Sequence, residues 1–197
     1  MPASVLFPPS FLRSGRILAL PVLAALSGLA ATGAQADPLA TRTIYGQLGV
    51  AQNSAGSLTA GVTAPIGWQS SFWGMRAGAY WDANIAYWSA RDDADNRRHG
   101  YAQIGLTPTL RLRFDEGRSP WFADAGIGIS LNNHLYNNEN HHFSTAFNFA
   151  SHIGAGYSFG ANRSQEISLR LQHVSNASIK QPNPGENFLQ LRYAVAF

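Results

Sequence analysis

The chain has 197 residues, which fits a single domain, and it contains no cysteine, which excludes a disulfide framework. Its 14 basic and 11 acidic residues give only a small excess of positive charge. Two of the basic residues, Arg13 and Arg16, lie in an N-terminal segment that we expect to be removed. The remaining chain is therefore close to neutral and gives no reason to expect nucleic-acid binding.

The N-terminal segment over residues 1–36 has the features of a secretory signal peptide. Two arginines precede an apolar run at residues 17–26, and Ala34–Ala36 match the Ala-x-Ala pattern of a cleavage site. The apolar run is too short to span a bilayer comfortably as a retained anchor. We therefore expect cleavage after about Ala36 and a single domain over residues 37–197.

The rest of the chain alternates between apolar and polar residues with a period of two, which predicts β-strands. No segment has the 18 or so consecutive apolar residues that a transmembrane helix needs. Eight segments carry the alternation, the first two more weakly than the others: residues 44–50, 58–66, 73–87, 102–114, 121–131, 147–159, 167–171 and 189–197.

Three observations favour a membrane barrel over a soluble sandwich or a lipocalin-like barrel. One face of the strands is rich in Trp, Tyr, Phe and Leu, as contact with lipid requires. Short turns, near residues 67–71, 115–119 and 160–163, alternate with loops near 52–56, 91–96, 132–142 and 177–186, several of which are longer. The other face carries charges that we expect to pair inside the barrel: Arg76, Arg111, Arg113, Arg170, Arg192, Asp82 and Asp124.

These patterns predict an all-β protein, an eight-stranded antiparallel transmembrane barrel of the bacterial outer membrane. Both termini and the short turns would lie on the periplasmic side, and the longer loops outside. The tryptophans are predicted to be interfacial anchors: Trp73, Trp81, Trp88 and Trp121.

A histidine and a serine end the seventh predicted strand. His173 and Ser175 are two residues apart, so they share the face of Leu169 and Leu171, which is the lipid-facing one. A base beside a hydroxyl is the pairing that activates a nucleophile. The alternative is that both are ordinary polar residues at the level of the lipid headgroups. Because this strand runs outward, either interpretation places them in the outer leaflet.

The same hairpin resembles a known family. The residues His173-x-Ser175-Asn176-Ala177, followed by Lys180-Gln181-Pro182-Asn183 and a glycine, are similar to those of the PagL-type outer-membrane lipid A 3-O-deacylases. The resemblance implies a hydrolase that removes the ester-linked acyl chain at position 3 of lipid A. It implies that His173 is the base and Ser175 the nucleophile, with no metal or organic cofactor. The expected partners are lipopolysaccharide and outer-membrane lipids, and a homodimer is left open.

A third residue should orient the histidine, and here two neighbours compete. The family uses a glutamate, and an alignment without gaps from His173 places that position at Asn187, whereas Glu186 lies one residue earlier. Strand alternation points Asn187 outward and Glu186 inward. We favour Glu186 for its chemistry, because the Pro184-Gly185 turn could break the alternation. An amide can also orient a histidine.

The oxyanion of such a reaction needs preorganised donors. The candidates are the backbone amides from Asn176 to Ser178 and the side chain of Asn183. The alternative is ordinary turn chemistry, since Asn, Pro and Gly favour turns for conformational reasons.

The remaining polar clusters support weaker hypotheses. His134, His141 and His142 share a loop with Glu139, but their spacing matches no fixed ligand pattern, so a solvated loop is favoured over a metal site. His152 is predicted to lie in the polar interior.

Three arginines and two alternative functions complete the predictions. Arg91, Arg97 and Arg98 could bind lipopolysaccharide phosphates or only solvate the rim.

A non-enzymatic structural or adhesion barrel would give no reason for the His173 and Ser175 pair. A lipid acyltransferase would use the same chemistry with another acceptor.

Overall fold

The computed structural model describes residues 39–92, 94–139 and 141–197, and eight strands in this part of the chain close into an antiparallel barrel. The predicted signal peptide and residues 37–38 lie outside the described residues. The barrel strands are β1 (Thr43–Ala51), β2 (Gly56–Phe72), β3 (Met75–Arg91), β4 (Arg98–Arg113), β5 (Trp121–Asn132), β8 (Phe147–Phe159), β9 (Gln165–Ser175) and β10 (Glu186–Ala196). A short hairpin, β6 (Asn137–Asn138) and β7 (His141–His142), lies in the connection between β5 and β8.

The first and last strands close the barrel. Going round the wall, the order is β1-β10-β9-β8-β5-β4-β3-β2, and β1 pairs with β10 from Thr43↔Ala196 to Ala51↔Phe188. Closure leaves no edge along this seam, which is what a β-structure in lipid requires. Within the described residues, no helix is both long and apolar enough to cross a membrane. The predicted all-β, eight-stranded fold is confirmed.

The alternation of side chains gives the wall an apolar outer face and a polar interior. Ile127 is 71% exposed and Ile153 62% exposed on the outside, where lipid would cover them. Inside, Arg170 contacts Asp82 at 3.2 Å and Asp124 at 3.1 Å, so it joins two carboxylates across the lumen. The interior is thus held by paired charges.

The charge network differs from the prediction at two residues, Glu166 and Arg76. Glu166, absent from the prediction, accepts from Arg111 at 2.8 Å and from Arg113 at 2.7 Å. Arg76 is instead half-buried at the periplasmic end, where it donates to Gln69 at 2.6 Å. Its place near the end of a long strand puts it at the rim.

Two further predictions are corrected. The turn expected at residues 67–71 lies at Trp73-Gly74, because β2 continues through a register shift between Pro65 and Gln69. Trp88, expected at the membrane interface, is 1% exposed. It lies on the inward-facing side of β3 and packs in an apolar cluster beneath the external loops.

Candidate active site

His173 lies between Ser175 and Asn187 on the outer wall of the barrel. Its Nε2 is 3.0 Å from the Ser175 hydroxyl, and its Nδ1 is 2.8 Å from the Asn187 Oδ1. An amide oxygen can only accept, so the Nδ1 carries the proton and the Nε2 lone pair faces the serine. This is the tautomer that a general base for Ser175 requires.

Strand pairing explains why Asn187 reaches the histidine. Asn187 is the residue directly opposite His173 across the β9–β10 pair, whereas Glu186 is opposite Val174. Directly opposed side chains lie on the same face of a sheet and close enough to bond. Both His173 and Asn187 are exposed on the outer wall, and Ser175 is half-buried.

The preference for Glu186 as the partner of the histidine is therefore corrected. Glu186 is 0% exposed and points inward, where its carboxylate accepts from the Tyr136 hydroxyl at 2.8 Å and the Asn138 amide at 3.0 Å. Regular pairing begins at Glu186 itself, so the preceding turn does not break the alternation.

Gly185, which the sequence analysis named in the family resemblance and as a turn residue, lies directly against the imidazole of His173. Gly185 has φ +68°, in the left-handed region, and a Cβ placed there would lie 2.6 Å from the His173 Cε1. Only glycine meets both conditions without strain. No local sequence signal predicts this packing, because it depends on how the loop returns to β10.

The Asn183 side chain, one of the oxyanion candidates, closes the loop after Ser175. The Asn176 backbone N–H donates to the Asn183 Oδ1 at 2.9 Å, so neither that amide nor that oxygen is available to a substrate. The Asn183 amide nitrogen lies 3.5 Å from the Ser178 hydroxyl. The Asn183 side chain therefore braces the turn, as the alternative interpretation expected.

Two backbone amides remain as candidate oxyanion donors. Ala177 and Ser178 have φ of 52° and 63°, both left-handed. Within the described residues, neither backbone N–H has a protein acceptor. Successive amides in a tight turn form a concave site for an anion.

A wide, open apolar groove of about 1310 Å³, lined by residues of seven barrel strands, includes the histidine. Its lining combines His173 and Asn187 with Ile153, Leu171 and Leu189. Its apolar character suits contact with hydrocarbon chains.

The groove also contains a serine that the sequence analysis passed over. Ser151 is paired with His173 across the β8–β9 contact, and it interrupts the apolar outward face between Phe149 and Ile153. This polar residue in an otherwise apolar face is the feature of the sequence that could have pointed to Ser151.

The other candidate residues lie elsewhere. His134 stacks on Tyr101, and His142 lies 3.4 Å from Asn137. The described residues contain no group of three or more His, Cys, Asp or Glu side chains placed to hold a metal ion. His152 is buried in the lumen, as predicted.

The arginine cluster is remote from the histidine. Arg91 and Arg98 belong to the β3–β4 hairpin, which lies across the barrel from β9 and β10. Arg98 donates to the Ser54 carbonyl at 2.6 Å, and Arg91 donates to Asn96 at 2.9 Å. These contacts favour a structural role at the rim.

Comparison with known proteins identifies the family. The sequence model of the family described as lipid A 3-O-deacylase (PagL) matches residues 56–196. The chain belongs to the PagL family. The lipid A deacylase PagL of Pseudomonas aeruginosa is 30% identical over 185 residues, which cover 91% of this chain and 98% of the relative. The lipid A deacylase PagL of Bordetella bronchiseptica is 32% identical over 134 residues, covering 64% of this chain and 71% of the relative.

Solved structures agree with the family assignment. The crystal structure of the outer-membrane enzyme PagL superposes with a TM-score of 0.68 at 25% identity, over 79% of this chain and 99% of that one. A designed transmembrane β-barrel, at TM-score 0.51 and 9% identity, shares the fold alone. Membership in the PagL family confirms the predicted enzyme class and outer-membrane location, and it sets aside the structural or adhesion barrel.

Proposed function

We propose that this PagL-family chain removes the acyl chain at position 3 of lipid A by a Ser175–His173–Asn187 mechanism on its lipid-facing wall. The observation that carries the proposal is the bridging position of His173. One ring nitrogen faces the Ser175 hydroxyl at 3.0 Å and the other faces the Asn187 amide at 2.8 Å.

The first half-reaction transfers the acyl group to the enzyme. The His173 Nε2 takes the Ser175 proton as the serine oxygen attacks the ester carbonyl. The backbone amides of Ala177 and Ser178 donate hydrogen bonds to the carbonyl oxygen and stabilise its negative charge. When the tetrahedral intermediate collapses, the bond to the sugar oxygen breaks and His173 returns the proton to that oxygen.

The second half-reaction uses water. His173 takes a proton from the water as the water oxygen attacks the acyl carbon of the acyl-serine. When this second tetrahedral intermediate collapses, the bond from the acyl carbon to the Ser175 oxygen breaks, His173 returns the proton to that oxygen, and the fatty acid leaves. Asn187 keeps the imidazole in one tautomer and orientation throughout. An amide does this without adding a negative charge, so here the imidazolium formed in each step has no carboxylate partner at the Nδ1 position.

The position of the site determines which lipids can reach it. Ser175 ends β9 at the external side, and the apolar groove beside His173 continues along the outer wall. A lipid of the outer leaflet can place one acyl chain in the groove with its ester at the level of the serine. Free substrates in the periplasm have no such route.

Mass spectrometry of lipid A from cells expressing the chain tests the proposal. We expect loss of the hydroxyacyl group at position 3 and its recovery as free fatty acid. We expect the Ser175→Ala and His173→Ala variants to abolish or strongly reduce that loss, since a general base alone contributes about 10²- to 10⁴-fold. Acyl groups recovered on another lipid would indicate the acyltransferase instead. Unchanged lipid A with an assembled barrel would contradict the proposal.

Two other expectations accompany the proposed function. N-terminal sequencing of the membrane-inserted protein tests cleavage after about Ala36, and intact residues before it would contradict the prediction. Cross-linking in membranes tests whether the barrel forms a homodimer.

A further inference from the structure

The described residues of the external loop between β5 and β8, 133–139 and 141–146, contact the β9–β10 hairpin at two points. The first contact is at Ser144. Its hydroxyl accepts from the Asn176 side-chain amide at 2.9 Å and donates to the Lys180 carbonyl at 2.9 Å. Asn176 follows Ser175 directly, so this contact fixes the chain immediately after the nucleophile.

The second contact is at Glu186, on the other strand of the hairpin. One carboxylate oxygen accepts from Tyr136 at 2.8 Å and Asn138 at 3.0 Å, and the other from the Asn187 backbone N–H at 3.1 Å. His141 lies 3.5 Å from the same carboxylate. The loop thus meets both strands of the hairpin, one beside Ser175 and one beside Asn187.

The burial of Glu186 makes the loss of its hydrogen bonds costly. Glu186 is 0% exposed, and Trp88, Phe143 and Phe188 are buried in the apolar cluster around it. Burial and the charge of Glu186 raise the pKa of Tyr136 far above its ordinary value, so its hydroxyl remains a donor. A buried carboxylate is tolerated only while its hydrogen bonds are made. The loop therefore cannot withdraw without a large cost.

We infer that Glu186 is a positioning residue, and that it anchors the external loop to the start of β10 so that Asn187 and Gly185 hold the His173 ring in place. The inference rests on the proposed function, because it gives Glu186 its effect through the Asn187–His173 contact. Glu186 itself lies on the opposite face of the strand from the substrate. Its side chain touches neither the histidine nor the outer wall groove.

A double-mutant cycle tests this mode of action. The variants are Glu186→Gln, Asn187→Ala and the double variant, each refolded and measured in vesicles containing lipid A. Glutamine keeps the volume but cannot accept from all the donors around Glu186. We expect Glu186→Gln to lower kcat about tenfold with little change in KM, as a small misplacement of a catalytic group does. In the Asn187→Ala background the same substitution should have little further effect, because residues that act through one contact are not additive.

Two companion variants keep the result interpretable. Tyr136→Phe removes one donor from the loop and should lower kcat in the same direction, by less. Asn137→Ala is the matched control in the same loop, since that side chain donates to Asp92 on the β3–β4 side at 3.3 Å, away from the hairpin. Its kcat should stay at the wild-type value. Heat-modifiable migration on gels verifies that each barrel is assembled.

Either of two results would overturn the inference. Fully additive losses in the cycle would mean that Glu186 acts independently of Asn187. An equal loss in Asn137→Ala would mean that the loop supports activity only through general stability. Both leave the proposed function intact, provided that Ser175→Ala is inactive in the same assay. An active Ser175→Ala variant would instead contradict the proposed function.

Discussion

At the scale of single residues, the group that contacts the Nδ1 of His173 is an amide and not the carboxylate that the resemblance implied. The resemblance led us to expect a glutamate, and the position aligned with it is Asn187, which holds the Nδ1 of His173 at 2.8 Å. The adjacent carboxylate, Glu186, faces the barrel interior. In the proposed mechanism the Asn187 amide orients the imidazole without adding a negative charge, so catalysis relies on the placement of the groups.

Asn187 can be tested by substitutions that separate its hydrogen bond from its size. Asn187→Ala removes the acceptor, and we expect the rate of acyl release to fall by about tenfold to a hundredfold. Asn187→Asp keeps an acceptor at the same distance and should retain far more activity than the alanine variant. The rate of acyl release is measured with purified barrels in vesicles containing lipid A. Equal rates in the wild type, Asn187→Ala and Asn187→Asp would show that the contact between Asn187 and His173 has no role in catalysis.

Gly185 provides a second prediction at this scale. In Gly185→Ala, the new methyl group would lie 2.6 Å from the His173 Cε1, so the ring must move and the rate should fall at least tenfold. Gly74→Ala is the matched control, because Gly74 has φ +71° and no atom within 4 Å of the added Cβ.

Both alanines carry a similar backbone strain, about 1–2 kcal/mol. Denaturant midpoints should therefore fall in both variants, whereas activity should fall only in Gly185→Ala. A loss of activity in Gly74→Ala as well would attribute the effect to stability.

Alternation along the strands was enough to place most of the site before the structure was known. It predicted that His173 and Ser175 face lipid and that Asn187 lies outward. The preference for Glu186 was wrong because it assumed that the turn at Pro184-Gly185 disturbs the alternation, and the pairing is regular. The Gly185 contact and the bracing by Asn183 depend on a loop conformation, for which a sequence has no comparable period.

At the scale of elements, the strands were easier to predict than their ends. Gly67 suggested a turn, yet β2 extends to Phe72 because the register shift between Pro65 and Gln69 absorbs the irregular residues. Trp88 illustrates the same limit. Its residue type suggested an interfacial anchor, but its position in the alternation directs it inward, and the side chain is buried beneath the external loops.

The lipid-facing side of β9 can be tested by adding a charge. Leu169 is 56% exposed on the outer wall near the middle of the strand. We expect Leu169→Arg to destabilise the barrel by about 2–4 kcal/mol in phospholipid vesicles, the cost of a charge near the bilayer midplane. Ile179→Arg makes the same kind of change at a side chain that is 69% exposed in the external loop, and it should cost little. Similar costs for both variants in equilibrium unfolding would contradict the assigned orientation of β9.

At the scale of the whole molecule, the buried charge network and the proposed catalytic residues lie on opposite faces of one wall. Arg170 joins Asp82 and Asp124 inside the lumen, while His173 and Ser175 on the same strand face outward. Because side chains alternate between the two faces, the residues that stabilise the barrel are different from those proposed to act on the substrate. Changes in the lumen should alter stability more than catalysis.

Arg170→Met tests this separation. Removing the guanidinium leaves two buried carboxylates with fewer partners, so we expect a loss of about 3–5 kcal/mol in the free energy of unfolding. Arg118→Met is the matched control, because the Arg118 side chain is 67% exposed and pairs with Asp115 at the surface, where an ion pair contributes about 0–1 kcal/mol. The kcat of the assembled Arg170→Met barrel should remain near the wild-type value. A large drop in kcat without a loss of stability would show that the lumen takes part in catalysis.

We propose that Ser175, on the lipid-facing wall, is the nucleophile of this PagL-family enzyme. Peptide mapping after reaction of the membrane-embedded protein with a long-chain alkyl fluorophosphonate, which labels activated serines, tests this role. We expect one adduct, on Ser175. It should be lost in Ser175→Ala, and it should form much more slowly in His173→Ala and Asn187→Ala. An adduct on Ser151 or another serine, or deacylation of lipid A that persists in Ser175→Ala, would contradict this role.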